Sequence, residues 1–77
     1  MQEGILKYNE MNNRYGLWNS LTSEWINSGF HCGECVDVYD CGKWMHSRVE
    51  MDMQRKYYLV GTSYRGNLEN IPAKIRS

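Results

Sequence analysis

Seventy-seven residues with 42% hydrophobic content make one small domain, residues 1–77; a chain of this size buries only about 60% of the surface its unfolded form exposes. Little volume remains for a deep catalytic cleft, so a groove or an exposed patch is the site to expect. Nine basic residues balance nine acidic ones, which excludes a global field drawing the chain to DNA or to an anionic membrane. No segment reaches the ~20 apolar residues of a membrane span, and Met1-Gln2-Glu3 does not begin a secretory leader. The three cysteines, an odd number, are therefore expected as free thiols in a reducing, cytoplasmic compartment.

The first predicted element is a hairpin from Gly4 to Trp18. Ile5-Leu6-Lys7-Tyr8 leads into Asn9-Glu10-Met11-Asn12-Asn13, whose asparagines tolerate the positive φ of a turn, and Arg14-Tyr15-Gly16-Leu17-Trp18 returns. Gly16 inside a strand signals a bulge or a close backbone approach. Residues 19–30 admit a helical turn capped by Ser20 or Ser23, or a short strand at Glu24 to Asn27 within a loop; the strand is preferred.

From Gly33 to Gly61 the chain alternates apolar and polar residues, turns at Cys41-Gly42 and alternates again, the pattern of antiparallel strands with one buried face. A two-residue turn there sets Tyr39 opposite Trp44, Val38 opposite Met45, Asp37 opposite His46 and Val36 opposite Ser47. The period of two then assigns Val36, Val38, Met45, Val49 and Met51 to the core, and Tyr39, Trp44, His46, Arg48 and Glu50 to the other face. Tyr57-Tyr58-Leu59-Val60 forms the next strand after a turn at Asp52–Lys56. Ile71-Pro72-Ala73-Lys74-Ile75 closes the domain; Pro72 has no N–H for a ladder, so it belongs at a sheet edge or a strand start. Trp18, Tyr57 and Tyr58 are assigned to the core.

Three resemblances accompany this pattern. Gly33-Glu34-Cys35-Val36-Asp37-Val38 followed by Gly42-Lys43-Trp44-Met45-His46-Ser47-Arg48-Val49-Glu50 resembles Tudor and related SH3-like barrels, scaffolds used mostly for binding. His31-Cys32-Gly33-Glu34-Cys35, Gly42-Lys43-Trp44, Ser47-Arg48-Val49-Glu50 and Tyr58-Leu59-Val60-Gly61 resemble a family of small uncharacterised proteins of Gram-positive bacteria and their mobile elements. That likeness implies an accessory protein of a phage or mobile element and brings no catalytic residue with it. Gly4, Lys7, Tyr8 and Arg14-Tyr15-Gly16-Leu17 resemble the opening of cold-shock domains, which implies a single-strand nucleic-acid surface at Lys7, Tyr8, Tyr15 and Trp18. The second aromatic motif of that family has no counterpart in residues 19–32.

Cys32, Cys35, Cys41 and His46 are spaced as C-x2-C-x5-C-x4-H, four residues of types that ligate zinc. The hairpin opposes this: Cys41 sits at the turn and Cys35 six residues back, up to ~20 Å along a strand rising ~3.3 Å per residue. Free thiols are the expectation, with no metal and no cofactor. His31 and His46 are tied to no nucleophile by a recognisable motif, so no catalytic residue is assigned. The sequence therefore predicts an all-β, five- to six-stranded antiparallel SH3-like barrel, with an OB-like barrel as alternative. Its predicted role is non-catalytic protein binding through Tyr39, Trp44, His46 and Arg48, residue types that make protein hot spots. Single-stranded nucleic-acid binding and a zinc-stabilised domain are the alternatives.

Overall fold

A computed structural model describes residues 2–76. Seven strands follow in chain order: β1 (Gln2–Asn9), β2 (Arg14–Asn19), β3 (Glu24–Asn27), β4 (Cys35–Asp40), β5 (Lys43–Met51), β6 (Tyr57–Leu59) and β7 (Pro72–Ile75). They form one antiparallel sheet in the order β3-β2-β1-β7-β4-β5-β6. Among the described residues, the strand ladders join two meanders, β1-β2-β3 and β4-β5-β6, through the last strand, which lies between β1 and β4.

Local chemistry accounts for the turns. Cys41 (φ 52°) and Gly42 (φ 80°) both take positive φ, as the commonest two-residue hairpin turn requires. The resulting register has Tyr39 opposite Trp44 and Asp37 opposite His46, as the alternation predicts. At the β1–β2 turn Asn13 adopts φ 57°. The Asn9 and Asn12 side chains accept from Met11 N–H (3.0 Å) and Arg14 N–H (3.1 Å), and both donate to the Ser28 carbonyl (2.9 and 3.0 Å), fastening the turn to the end of β3. Gly16 is a site of close approach: a Cβ there would stand 2.2 Å from the Asn27 carbonyl oxygen. The β2–β3 register shifts beside it, between Leu17 and Trp18.

One face of the sheet holds the core. Leu6, Leu17, Val36, Val38, Val49, Leu59 and Ala73 are buried there, and Phe30, Leu68 and Ile71 from the connecting segments cover them. Polar groups on this side are paired. Ser47 Oγ donates to the Val60 carbonyl (2.8 Å), and Asp40 accepts from Ser63 N–H (3.2 Å) and Ser63 Oγ (3.2 Å). The Tyr15 hydroxyl receives Leu68 N–H (3.2 Å). Among the described residues no buried side-chain nitrogen or oxygen lacks a partner.

Several expectations are corrected. The sheet has seven strands, not five or six, and hydrogen bonds close it into neither an SH3-like nor an OB-like barrel. Its terminal strands β3 and β6 have 4 and 3 residues and do not pair with each other. Side chains bridge the gap: Tyr57 of β6 packs edge-on against Tyr15 of β2 (5.6 Å between centroids), and its hydroxyl donates to the Asn13 carbonyl (3.0 Å). Pro72 is at a strand start, the second of the two places expected for it, and that strand, β7, is central. Beside it the ladder is carried by neighbours, with Leu6 N–H donating to Ile71 O (2.9 Å) and Asn70 N–H to Leu6 O (2.8 Å). Met51, the last residue of β5, is 37% exposed instead of buried. Trp18 and Tyr58 leave the core, because strand parity turns both outward: Trp18 meets Trp25, and Tyr58 lies under Arg65 (4.4 Å). The strand preferred at Glu24 to Asn27 is present as β3.

Two outcomes follow. Gly16→Ala forces a Cβ against backbone atoms of Asn27 and Ser28 that no rotamer change can move, and should cost about 1–3 kcal/mol in urea unfolding, the range of overpacking; an unchanged midpoint would refute the close approach. Asp52 accepts from Lys56 N–H and Gln54 N–H (both 2.9 Å) and from Arg65 Nη1 (2.6 Å). The Lys56 amide first, then Gln54 and the Arg65 guanidinium, hold its carboxyl below the ordinary value of 3.8. A lowered folded-state pKa gives stability that is complete above 3.8 and is lost as pH falls from there through the lowered value. Asp52→Asn should therefore be less stable than the wild type near neutrality, and the gap should narrow as pH falls below 3.8. A pH-independent gap would show that the charge contributes nothing.

Candidate functional site

The outward face of the sheet is built by parity. On β4, residues alternate with buried Val36 and Val38, which turns Cys35, Asp37 and Tyr39 outward; the register then turns Arg48, His46 and Trp44 of β5 to the same side. On β7, Ala73 is buried against Val38 and Lys74, opposite Asp37, faces out. The four residues expected at a binding surface, Tyr39, Trp44, His46 and Arg48, are thus on one side of one hairpin.

Trp44 is 38% exposed and Tyr39 40%. Their rings meet edge to face, 5.6 Å apart at 76°, and Lys74 Nζ stands 4.1 Å from the Trp44 ring centroid, an attraction between a cation and the ring quadrupole. Beside them His46 Nδ1 lies 2.8 Å from Asp37 Oδ1, and Arg76 Nε 3.8 Å from Asp37 Oδ2. Asp37 is largely buried beneath these two basic groups. Arg48 Nε lies 3.8 Å from Glu50 Oε2, both on β5. Shallow hollows flank His46: one is lined by Cys35, Asp37, Lys74 and Arg76, the other by Cys35, Ser47, Arg48 and Val60.

Lys74, Asp37 and Arg76 are not among the residues the sequence assigns to the protein-binding surface. Asp37 was legible, since it alternates with Val36 and Val38 and pairs with His46. Lys74 and Arg76 were not, because nothing in the local pattern says that β7 lies against β4.

The same face continues across the other meander. Trp18 and Trp25 are register partners and pack edge to face at 5.0 Å, with Lys7 Nζ 5.7 Å from the Trp18 ring. Ile5 is opposite Trp18 on one side and Pro72 on the other. Two aromatic pairs, each with a lysine on its tryptophan, therefore stand on either side of β1 and β7.

This geometry divides the four residues of the nucleic-acid alternative. Lys7 and Trp18 face outward, whereas Tyr15 is buried at 7% exposure with its hydroxyl engaged, and Tyr8 packs edge-on against it (5.2 Å). A base has no access to the Tyr15 ring, so the four do not make one stacking surface. The zinc set is dispersed as well. Cys32, Cys35 and Cys41 are exposed free thiols, with Cys35 opening β4 and Cys41 beyond its far end. The described residues contain no cluster of three or more His, Cys, Asp or Glu able to hold a metal ion.

No curated protein and no solved structure matches the chain. The profile of one family, described as Domain of unknown function (DUF5348), matches residues 4–75, and the chain belongs to that family.

Proposed function

We propose that this chain is a non-catalytic binding module that docks a protein partner on the outward face of its sheet, centred on Tyr39 and Trp44 with His46, Arg48 and Lys74 around them. The observation that carries this reading is the exposure of a packed Trp–Tyr pair beneath a lysine on a sheet face. Rigid aromatic rings lose little conformational entropy on binding and bury a large area, and Trp, Tyr and Arg dominate binding hot spots. The polar groups nearby suit positioning better than bond-making: His46 is directed at Asp37, and Arg48 at Glu50. An accessory role in a phage or mobile element fits a small binding module. The one-sided core and the Tyr57–Tyr15 bridge support reading the coiled sheet as a small barrel of SH3-like kind, with its seam closed by side chains.

Trp44→Ala should abolish most partner binding while leaving the fold intact, because Trp44 is not part of the buried cluster. The comparison is capture from the native host with wild type, Trp44→Ala and Leu21→Ala, the last removing a 96% exposed apolar side chain elsewhere. The expected result is a specific protein retained by wild type and Leu21→Ala and weakened more than about tenfold, roughly 1.4 kcal/mol, by Trp44→Ala. Equal capture by all three proteins would overturn the assignment of this face.

A further inference from the structure

Strand β5 is longer than the neighbours that pair with it. Its nine residues run from Lys43 to Met51; β4 pairs with Lys43 through Arg48, but β6 pairs only with Val49 through Met51. On the β6 side, no strand among the described residues covers Lys43 to Ser47. Backbone hydrogen bonding in antiparallel sheets alternates from side to side. The Arg48 carbonyl accepts Val60 N–H (3.1 Å) on the β6 side, while Val49 exchanges with Gly33 (2.8 Å) and Glu34 (3.1 Å) on the other. Two and four residues before Arg48, His46 and Trp44 therefore direct their N–H and C=O groups toward the open side. Their side chains are the exposed ones of the outward face. The hollow lined by Cys35, His46, Ser47, Arg48 and Val60 lies where the open edge meets the end of β6.

We infer that this open edge accepts an extended acidic peptide segment of a protein partner, which adds as a strand beside Trp44–His46. The inference rests on the protein-binding reading above and specifies its mode. Main-chain hydrogen bonds supply affinity in strand addition, and pockets for alternate side chains supply selectivity. Charge selects the occupant. Lys43-Trp44-Met45-His46-Ser47-Arg48 carries the cations Lys43 and Arg48 and no acid, Lys74 adds a third cation over Trp44, and Asp37 is already engaged by His46 and Arg76. A second copy of β5 in this position would bring like charges together, which is unfavourable across strands and is how edge strands resist self-pairing.

The test uses the full chain, isotope-labelled, with a blocked peptide of about eight residues alternating Glu and Val, the length of an ordinary strand, and its Lys-for-Glu counterpart. The acidic peptide should shift the amides of Trp44 and His46 and slow their hydrogen exchange; the basic peptide should not. His46→Ala and His46→Pro both remove the imidazole, but only proline removes the outward N–H, which an edge strand tolerates. His46→Pro should bind about fivefold to tenfold more weakly than His46→Ala, the loss of one backbone hydrogen bond. No protection of these amides at about millimolar peptide, or equal protection by the basic peptide, overturns the inference. So does concentration-dependent protection of the same amides without peptide, which identifies a second copy as the occupant. If a captured partner depends on Trp44 yet does not distinguish His46→Pro from His46→Ala, strand addition fails and the binding face stands. If binding ignores Trp44 as well, both fail.

Discussion

The fold depends on the antiparallel insertion of β7 between β1 and β4. Each meander is a three-stranded piece whose apolar side is too small to be dry alone, and among the described residues strand ladders connect the two only through Pro72–Ile75. Ala73 makes the junction possible. It is fully buried opposite both Gly4 and Val38, and its small side chain leaves room for the larger side chains of the core cluster. The ladder hydrogen bonds of β7 are non-local, so the entropy of closing most of the chain must be overcome before they form. Domains dominated by such pairings fold slowly relative to helical ones.

Once β7 is in place, strand parity distributes the chemistry. Inward positions are filled by aliphatic groups and by Tyr15, and the polar ones, Asp40 and Ser47, are satisfied by loop partners. Trp18, Trp25, Tyr39 and Trp44 stand at outward parity and pack against each other in pairs under lysines. The candidate surface is thus a consequence of register: the same alternation that buries the aliphatic residues displays these rings on the other face.

The central hairpin was legible because its determinants are local. A two-residue turn with Gly42 fixes the register, and the register fixes which side chains share a face, so Tyr39, Trp44, His46 and Arg48 were grouped correctly on one side of β4–β5. Gly16 was legible for the same kind of reason, a missing Cβ inside a strand. Trp18 and Tyr58 were misplaced because hydrophobic character alone assigns an aromatic to the core, whereas parity places each outward. Pro72 was legible as a strand start; that this strand is central was not, and there Ile71 and Asn70 complete the ladder with Leu6.

The sequence by itself determined the antiparallel strands, the turn at Cys41-Gly42, the register beyond it and the separation of Cys35 from Cys41, because all of these follow from period-two alternation and local backbone freedom. Only the tertiary structure decided that β7 joins the two meanders, that Lys74 and Arg76 meet Trp44 and Asp37, that the sheet stays open between β3 and β6, and that β5 outruns β6. Those features depend on contacts between residues far apart in the chain. Their selection comes from burying a shared core, a collective property that no short stretch of sequence encodes.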